Sequence, residues 1–566
     1  MSKPPHLWEK SYPSDIKWSF KAPHKAVHLL LEETALKYPD RICADFLGKT
    51  STYKEIHQLS QRIAKGLQHI GIQKGDKVAI CLPNCPYFVA VYYAALQIGA
   101  TVVNFNPLYT EDEIATQLKD CEAKVVFTLN LKALYEKLGP ALKKTPLEHI
   151  IVCPFTEALP TIKSILFRIF KGKELQSFPK EKGNIKLSDL INHGDKPEKV
   201  DINPEKDIAL YQYTGGTTGL PKGAMLSHSN VVSNVEQVKL WVGDLEEGGE
   251  RVLAVIPFFH VFAMTAIMNF SIATGSRIIM LPRFELETLL KTIHKTKPTL
   301  FHAVPTIFSK INTFENIEKF NLSSIRFSIS GGAALPAYVR ETFEKRANCK
   351  VLEGYGLSES SPVAACNPRH TGGKNGSIGL PFPGTEIEIR DLEDMSKKLP
   401  PLEQGELFIK GPQVMQGYWK RDDATKETLV DGWLRTGDVG YMDEDGFVFI
   451  TDRIKDIIIS SGYNIYPRMI EDAFYKHIDV EEVIVIAIPH PHKGEVPKAF
   501  VKLEEGSTTT EEALLTFVNK HLNPLERPAA IEFRDELPKT LIGKLSKKEL
   551  VEEENLKIKL TETNKA

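Results

Sequence analysis

Apolar and polar residues alternate along the chain with two different periods. Residues 29–38, Leu-Leu-Leu-Glu-Glu-Thr-Ala-Leu-Lys-Tyr, have the spacing of an amphipathic helix, whereas residues 75–83 and 123–128 carry short apolar runs next to turn residues. The same alternation of helical spacing and short apolar runs occurs again in residues 209–305. Helices that alternate with buried strands favour parallel sheets covered by helices, so the pattern predicts an α/β fold with a second α/β layer.

The length and the later part of the pattern divide this fold into parts. A chain of 566 residues exceeds what one hydrophobic core usually organises. Short strands and Gly/Asp turns between residues 405 and 441 indicate a β-rich subdomain. A charged joint at residues 452–456 then leads into a strand, a Gly turn and a helix. We predict a large N-terminal domain of stacked mixed α/β sheets plus the β-rich subdomain, residues 1–451, and a small α+β C-terminal domain, residues 452–566.

Composition narrows the class of protein. The chain is 42% hydrophobic and 25% charged, as in ordinary soluble globular proteins. Its 71 basic and 73 acidic residues nearly balance, which argues against a nucleic-acid partner. The seven cysteines are scattered and include no Cys-x-x-Cys pair, so we expect reduced thiols in a cytoplasmic protein rather than disulfides or a zinc site. The N-terminal residues lack the apolar core of a signal peptide.

Two segments raise the question of a membrane. Residues 252–276 contain no Asp, Glu, Lys or Arg and are long enough to span a bilayer, but Pro257, His260 and Asn269 interrupt them, so we predict a buried strand and a core helix. Residues 162–173 have apolar side chains on one helical face and basic side chains between them. Such a helix either lies on an anionic membrane surface or packs its apolar stripe on the protein body, and both interpretations stay open.

A Gly/Thr-rich run at residues 213–223 is the strongest chemical signal in the chain. It follows a predicted strand at residues 207–211 and precedes a segment of helical character. Glycines let backbone N–H groups converge on an anion, threonines add hydroxyl donors and a lysine adds charge. We interpret the run as a phosphate cradle, although its register is not that of a Walker A loop, and a flexible turn is the alternative. The candidate residues are Thr214, Gly215, Gly216, Thr217, Thr218, Gly219 and Lys222.

A predicted strand at residues 327–330 ends in a Gly turn that contains Gly332 and Ala333. Open α/β sheets bind ligands at the carboxyl ends of their strands, so a nucleotide or a carboxylate is expected here. Tyr355 follows between two glycines, where its ring has room to stand against a purine. Ser358 and Glu359 offer a hydroxyl and a carboxylate for a phosphate and its metal.

Two later residues have an ordinary and a chemical interpretation. Asp438 lies in a Gly turn, where it either caps the turn or accepts hydrogen bonds from a ribose diol. Lys544 follows Gly543 among other lysines, and taken alone it is typical of a solvated surface charge. His260, in a Phe-Phe-His context, is either a core histidine or part of the wall of an acyl site.

Five segments together resemble one known family. They are YTGGTTGLPKG at 213–223, GYGLSES at 354–360, RTGD at 435–438, DRIKD at 452–456 and PKTLIGK at 538–544. In this order and spacing they resemble the adenylate-forming superfamily, which contains acyl-CoA synthetases, peptide-synthetase adenylation domains and luciferase. The resemblance covers about residues 25–550. Within the superfamily, the chain most resembles a bacterial long-chain fatty-acid–CoA ligase.

The resemblance implies a two-step reaction that uses ATP, Mg²⁺ and coenzyme A. A carboxylate attacks the α-phosphate to give acyl-AMP and pyrophosphate, and the thiolate of coenzyme A then displaces AMP. Lys544 would bridge the carboxylate and the α-phosphate, Glu359 would bind the metal, and His260 would line the acyl site. The implied nucleotide- and CoA-binding residues are the phosphate-loop residues named above and Gly332, Ala333, Tyr355, Gly356, Ser358, Asp438, Arg453 and Gly462.

The resemblance also implies a mobile C-terminal domain. Asp452 would be the hinge, presenting Lys544 for the first step and the region of Gly462 to coenzyme A for the second. The chain departs from the family pattern at Ser358, which replaces a threonine, and at residues 525–528, Leu-Glu-Arg-Pro, where a Tyr-Lys-x-Pro run is more usual. The second departure puts a contact from that lysine in doubt.

These observations predict a cytoplasmic long-chain fatty-acid–CoA ligase with a long-chain fatty acid as substrate and no nucleic-acid partner. Peripheral contact with the inner face of the cell membrane and a homodimer stay open. A medium-chain or aryl acid–CoA ligase is one alternative, because the apolar residues around His260 suit any hydrophobic acid. A non-catalytic regulator that binds acyl groups or nucleotides on the same fold is another. The predicted apolar pocket comprises Trp241, Phe258, Phe259, His260 and Phe262.

Overall fold

Three β-sheets organise the part of the chain that the structure describes. This computed structural model describes residues 6–179, 181–214, 221–369, 373–461, 463–540 and 544–563. Within these ranges the strands form sheets of fourteen, eight and five strands, and helices cover the sheets. The predicted α/β class is therefore confirmed.

The largest sheet joins a parallel and an antiparallel half. Its strands are β1 (Ile42–Phe46), β2 (Lys49–Thr52), β10 (Arg251–Ala254), β11 (Arg277–Met280), β12 (Leu300–Phe301), β13 (Phe327–Gly331), β14 (Lys350–Gly356), β15 (Val363–Cys366), β16 (Ser377–Pro381), β17 (Glu386–Arg390), β18 (Gly405–Lys410), β20 (Leu429–Val430), β21 (Trp433–Met442) and β22 (Val448–Arg453). The spatial order is β17-β18-β21-β22-β16-β15-β14-β13-β12-β10-β11-β1-β2, with β20 paired to β21. The β-rich part that the sequence predicts is thus continuous with the parallel part through β14, β15 and β16.

The second sheet carries the phosphate-loop candidate. Its strands are β3 (Lys77–Ile80), β4 (Thr101–Asn104), β5 (Ala123–Leu129), β6 (His149–Cys153), β7 (Asn184–Lys186), β8 (Ile208–Thr214), β9 (Lys222–Ser227) and β19 (Gly417–Tyr418). Their order is β19-β9-β8-β4-β3-β5-β6-β7, parallel from β8 to β7 and antiparallel at β9 and β19.

The third sheet lies in the C-terminal part of the chain. It contains β23 (Ile458–Ser460), β24 (Tyr463–Ile465), β25 (Val480–His490), β26 (Gly494–Leu503) and β27 (Ala530–Phe533). Its apolar residues pack in two clusters of their own, and both clusters consist of residues after 457. Most of the apolar core of the preceding part lies in one large cluster that runs from Trp8 to Val448.

The helices have the following bounds. They are α1 (Leu29–Lys37), α2 (Tyr53–His69), α3 (Pro86–Gln97), α4 (Glu111–Cys121), α5 (Lys132–Leu138), α6 (Ala141–Lys144), α7 (Thr161–Phe170), α8 (Leu187–Leu190), α9 (His228–Val242), α10 (Val261–Ala263), α11 (Phe270–Ala273), α12 (Leu286–Thr296), α13 (Pro305–Asn312), α14 (Ala337–Ala347), α15 (Asp422–Thr428), α16 (Pro467–Phe474), α17 (Glu511–Val518) and α18 (Lys548–Thr563). A turn of π-helix, Met264–Asn269, joins α10 to α11.

Residues 252–276 lie largely in the protein interior, as we predicted from the polar residues that interrupt this apolar run. Asn269 is buried and its amide group satisfies the hydroxyls of Tyr92 and Tyr93, which explains a polar residue inside an apolar run. Within the described ranges, no helix has the length and apolarity needed to cross a bilayer. The predicted free cysteines are confirmed as well, because all seven are unpaired and buried.

Helix α7 does not pack its apolar stripe on the protein body. Ile162, Ile165 and Ile169 are 73%, 53% and 68% exposed, and none of the residues of α7 is buried. Phe167, which lies beside this stripe, does pack on the body, since its ring lies 5.0 Å from that of Phe155. The body-packing interpretation of this segment is therefore wrong for most of its apolar side chains.

Strand β9 was missed by the sequence pattern. The sequence places the Gly/Thr run between a strand and a helix, but the run connects β8 and β9, which pair antiparallel with Thr214 opposite Lys222. Gly223 in β9 leaves room for the ring of Tyr213, since a Cβ there would lie 3.2 Å from that ring. Helix α9 then begins at His228, because the Ser227 hydroxyl accepts the Asn230 N–H at 3.1 Å.

Candidate active site

The carboxyl ends of β13 and β14 lie side by side and form the floor of the site. Gly331 pairs with Gly354, so the turn that holds Gly332 and Ala333 comes next to Tyr355. Both Gly332 and Ala333 are exposed at this edge. This is the position at which open α/β sheets bind ligands.

A buried carboxylate connects this edge to the antiparallel half of the sheet. Asp438 on β21 lies opposite Arg453 on β22 and is 3% exposed. The Arg453 Nε donates to Asp438 Oδ1 at 2.9 Å, and the Tyr355 hydroxyl donates to Asp438 Oδ2 at 2.5 Å. Burial, with the Asp438 charge, raises the pKa of Tyr355, which therefore stays a hydrogen-bond donor at neutral pH.

Lys544 reaches this cluster from the C-terminal part of the chain. Its side chain lies against the open face of Gly332, because a methyl group on Gly332 would be 2.6 Å from Lys544 Cε and 3.0 Å from Nζ. Gly332 also has a φ of +87°, which favours glycine. The surface-charge interpretation of Lys544 is therefore wrong.

The environment of Lys544 changes its acidity. Burial, and after it the positive charge of Arg453, lower the pKa of Lys544 to about 8, with Asp438 acting in the opposite direction. The ammonium form is therefore the main one at pH 7, but the proton is lost more readily than from an exposed lysine. A cation that lies this close to a carboxylate and a guanidinium is well placed to hold an anion between them.

His260 faces the same region from the start of α10. Burial, and after it the charge of Lys544, lower the pKa of His260 to about 3, so the ring is neutral at physiological pH. Its Nδ1 accepts the Phe262 N–H at 3.3 Å, which assigns the ring proton to Nε2. His260 can therefore donate one hydrogen bond as a neutral group, and it cannot serve as a cation.

The predicted apolar pocket is only partly assembled at this site. The ring of Phe262 lies by the site, 3.3 Å from where a Cβ on Gly331 would be. Phe258 is instead fully buried against Phe88, with ring centroids 5.6 Å apart. Trp241 packs in the core, at 5.2 Å from Phe382 and 5.4 Å from Tyr12. Phe259 is half-buried, and its carbonyl accepts a hydrogen bond from Gln212 at 3.2 Å.

Glu359 and Lys222 meet through a residue that the sequence did not single out. The Tyr418 hydroxyl donates to Glu359 Oε1 at 2.6 Å, and the Lys222 Nζ lies 5.2 Å from the centre of the Tyr418 ring. This contact forms because β19, which carries Tyr418, pairs with β9, which begins at Lys222. The short motif Gly-Tyr-Trp at 417–419 carries no charge or spacing that would have identified it.

Asp120 holds the base of the phosphate-loop candidate in the same way. Its carboxylate accepts the Tyr213 hydroxyl at 2.5 Å and Arg421 at 2.8 Å. Its backbone carbonyl accepts the Trp419 indole N–H at 2.9 Å. Tyr213 precedes Thr214, so Asp120 ties the end of β8, from which the run starts, to the segment that follows β19. It lies too far away in sequence for any local pattern to reveal it.

The remaining candidates are placed as follows. Gly356 ends β14, where a Cβ would lie 1.8 Å from the Pro362 carbonyl oxygen, so only glycine fits. Ser358 begins a turn of 3₁₀-helix, Ser358–Ser360, and is half-buried beside Glu359. Six candidates lie outside the described residues: Gly215, Gly216, Thr217, Thr218, Gly219 and Gly462.

Asp452 links the end of the large sheet to the first helix of the C-terminal part. Its carboxylate accepts the backbone N–H of Arg453 and the backbone N–H of Arg468 in α16, both at 2.8 Å. Burial raises the pKa of this carboxyl, while Lys547 acts against that shift. The side chain is thus positioned to control how the two parts meet.

Comparison with known proteins agrees with this geometry. Residues 31–419 match the family model described as AMP-binding enzyme, and residues 469–544 match the one described as AMP-binding enzyme C-terminal domain. The long-chain-fatty-acid–CoA ligase of Bacillus subtilis strain 168 is 43% identical over 97% of this chain and 98% of its own length. The protein of the same name from Salmonella typhimurium strain LT2 is 36% identical over 98% of this chain and 99% of its own length.

A solved structure shares the fold over nearly the whole chain. The crystal structure of ATP-bound MatB from Rhodopseudomonas palustris superposes with a TM-score of 0.81, at 26% identity, and covers 93% of this chain and 99% of its own. The family model alone matches more than half of the 566 residues, and it spans most of the site described above. The chain therefore belongs to the family of AMP-binding, adenylate-forming enzymes.

Proposed function

We propose that this protein is an ATP-dependent long-chain fatty-acid–CoA ligase. It joins a fatty acid to AMP with release of pyrophosphate and then transfers the acyl group to coenzyme A. The observation that carries the proposal is the position of Lys544, whose ammonium group lies against Gly332 and within the field of Asp438 and Arg453. A protein that only binds an acyl group or a nucleotide does not need a desolvated cation there. The names of the Bacillus and Salmonella relatives support the same activity.

In the first step, a carboxylate oxygen of the acid forms a bond to the α-phosphorus of ATP. The bond from that phosphorus to the oxygen shared with the β-phosphate breaks, and pyrophosphate leaves. Both reactants are anions, so their approach is unfavourable without a cation between them. Lys544 supplies that cation, and His260 donates its Nε2–H toward the same region without adding charge.

The phosphates are held on the opposite side of the site. Lys222 binds the β- and γ-phosphates together with Thr214 and the run that follows it. Glu359 fits a Mg²⁺ site, because Mg²⁺ is usually held by one or two carboxylates and by the phosphates of the substrate, and the described residues contain no larger metal-binding cluster. The ion would neutralise charge on the phosphates. Tyr418 orients the Glu359 carboxylate for this role.

The nucleoside is held by the cluster around Asp438. Each carboxylate oxygen of Asp438 accepts one hydrogen bond, from Arg453 or from Tyr355, and each has a second lone pair for a ribose hydroxyl. Tyr355 flanks the adenine, with Gly356 beside it leaving backbone space. These contacts fix the α-phosphate next to Lys544, which reduces the entropy that the reaction must lose.

The second step needs a different arrangement of the C-terminal part. The thiolate sulfur of coenzyme A bonds to the acyl carbon, and the bond from that carbon to the oxygen of AMP breaks. Lys544 occupies the site in the described arrangement, so we propose that residues 452–566 form a domain that rotates about Asp452. The rotation withdraws Lys544 and brings the region of Gly462 to coenzyme A.

A panel of acids tests the substrate class. Pyrophosphate release and acyl-CoA formation are measured in parallel for straight-chain acids from acetate to oleate and for benzoate. Thioester formed mainly from chains of about sixteen carbons supports the proposal, since each buried CH₂ adds roughly 0.8 kcal/mol of transfer free energy. Preference for octanoate or benzoate favours a medium-chain or aryl ligase, and neither product from any acid favours a binding regulator.

We further propose that the protein is cytoplasmic and touches the inner face of the cell membrane through α7. Its exposed isoleucines, with Phe170 at 79% exposure, lie among Lys163, Lys171 and Lys173. A helix of this composition binds anionic bilayers through apolar burial and charge together. Pairing of two copies through the same face would instead give a homodimer.

Vesicle sedimentation separates these uses of α7. Wild type should sediment with phosphatidylglycerol vesicles, and the triple change Ile162→Ser, Ile169→Ser and Phe170→Ser should abolish this. Ile478→Ser is the matched control, because Ile478 is 89% exposed but lies far from α7 in the sequence. Unchanged sedimentation of the triple variant removes the membrane proposal, and a shift from dimer to monomer in that variant assigns the face to self-association.

A further inference from the structure

We infer that the space beneath α7 is a second binding site for a long-chain fatty acid, separate from the catalytic site. A cavity of about 730 Å³ lies between α7 and the strands β6 and β7. Its volume falls in the range of about 300–1,000 Å³ that is usual for small-molecule sites. Because the occupant is the substrate of the proposed ligase, this inference rests on the proposed function.

The walls of the cavity are mostly apolar. Leu59, Tyr87, Val152 and Ile165 come from α2, α3, β6 and α7, and Leu159 and Ile191 come from the segments just before α7 and just after α8. Apolar walls of this kind lower the free energy of an alkyl chain by removing it from water. The cavity therefore offers an apolar surface to a hydrocarbon, although neutral polar side chains such as Asn130, Thr156 and Gln176 line it as well.

The basic side chains that line the cavity, here called its rim, favour an anionic head group. Lys49, Arg168 and Lys186 line it, against one carboxylate, that of Glu157. Arg168 is held in place by its hydrogen bond to the Thr156 hydroxyl at 3.0 Å, which uses one of the five N–H donors of the guanidinium. Lys186 lies over the Phe178 ring at 5.0 Å. A single chain that ends in a carboxylate fits both the walls and the rim.

The cavity lies away from the phosphate side of the proposed catalytic site. In the eight-stranded sheet β6 and β7 form one edge, and β9, which begins at Lys222, lies near the other. Five strand spacings separate β9 from β6, or roughly 24 Å at about 4.8 Å each. A fatty acid in this cavity therefore leaves the phosphate side of the catalytic site free.

The position of α7 also indicates from where a fatty acid would enter the cavity. Ser164 and Arg168 line the cavity, Ile165 lines it at its opening and is still 53% exposed, and Ile162 and Ile169 on the same helix are exposed to the outside. The helix thus separates the cavity from the surface that we propose to contact the membrane. A chain that leaves the bilayer at α7 would enter the cavity first and be held there before activation.

Equilibrium dialysis with radiolabelled palmitate tests the site. A non-hydrolysable acyl-sulfamoyl adenosine first saturates the catalytic site, and the bound palmitate per chain is then counted. We expect one palmitate per wild-type chain. Ser164→Trp should remove it by filling the cavity, and Arg168→Glu should weaken it at least about tenfold, a change of about 1.4 kcal/mol. Lys173→Glu, an equal charge change outside the lining, should have no effect.

The outcomes separate this inference from the proposed function. If the adenosine analogue abolishes all palmitate binding, the cavity either stays empty or is the end of the catalytic pocket, and the inference is overturned. If palmitate still binds but Arg168→Glu and Ser164→Trp leave its affinity unchanged, it binds elsewhere and the inference is again overturned. Acyl-CoA formation from palmitate, measured on the same preparations, reports on the ligase activity independently of either result.

Discussion

The ammonium group of Lys544 is largely buried and lies near the guanidinium group of Arg453, and both features lower its pKa. With a pKa lowered to about 8, first by burial and then by Arg453, it is mainly protonated at pH 7 and mainly neutral at pH 9. In the proposed mechanism adenylate formation needs this cation, so its rate should fall above pH 8, approaching about tenfold per pH unit. Pyrophosphate release without coenzyme A measures this step, free of the titration of the CoA thiol.

The variant Lys544→Arg is the control for this profile. A guanidinium stays charged to above about pH 12, so the fall near pH 8 should disappear even if the overall rate is lower. His260 is not expected to add an inflection between pH 5 and pH 7, because its pKa of about 3 leaves it neutral throughout. An alkaline fall that persists unchanged in Lys544→Arg would assign it to another group.

Gly332 provides the space that Lys544 occupies. In Gly332→Ala the new methyl group would lie 2.6 Å from Lys544 Cε, on a backbone with φ of +87°. Adenylate formation should fall by about 10²-fold, since displacement of a catalytic group by about 1 Å has effects of that size. Thioester formation from added acyl-adenylate should fall much less, because the proposed mechanism withdraws Lys544 in that step.

Gly71→Ala is a matched control for backbone strain. Gly71 has φ of +89°, and a Cβ there would meet no atom within 4 Å. Gly71→Ala should therefore lower the thermal unfolding temperature through backbone strain, but it should not reduce adenylate formation. Equal losses in both variants would mean that strain, and not contact with Lys544, explains the effect of Gly332→Ala.

At the scale of elements, the joint at Asp452 gives the clearest prediction. Proline at this position fixes φ and removes the carboxylate that holds Arg453 and Arg468. Asp452→Pro should preserve adenylate formation better than thioester formation, because the described arrangement already has Lys544 in the site. Single-turnover measurement of the two half-reactions gives the comparison. Asp452→Ala, which loses the carboxylate but keeps φ free, separates the two causes, and equal loss of both half-reactions in the proline variant rejects the hinge.

Local pattern was enough to predict most of the elements that hold the site. The strand ending at Gly331 and the helix beginning at Pro467 lie where the apolar runs and turn residues place them. Strand β9 was missed because Lys-Gly-Ala-Met-Leu-Ser has no strong alternation, and its pairing with β8 and β19 defines it instead. Long-range pairing of this kind is decided by tertiary contacts, which a local pattern does not contain.

The same limit applies to the site. The family motifs identified Lys544 and Asp438, although composition alone gave both an ordinary interpretation. Tyr418 and Asp120 were missed, because each acts by orienting another group across a contact distant in sequence. Such residues become visible only when the fold brings their partners together.

At the scale of the whole molecule, the site draws on two sheets and on the C-terminal part of the chain. The eight-stranded sheet positions Lys222, the fourteen-stranded sheet positions Asp438 and Tyr355, and the C-terminal part supplies Lys544. Binding and catalysis are thus divided between parts of the chain with separate apolar cores. In the proposed mechanism, this division allows one cation to be present for the first step and absent for the second.

The most direct test of this account is to measure the two half-reactions separately in wild type and in Lys544→Ala. The account predicts that palmitate-dependent pyrophosphate release falls by about 10²- to 10³-fold, in line with the loss of other preorganised charge contacts. It also predicts that conversion of added palmitoyl-adenylate to palmitoyl-CoA stays within about threefold of wild type, since losing no transition-state contact leaves the barrier nearly unchanged. Equal loss of both half-reactions, or undiminished pyrophosphate release, would contradict it.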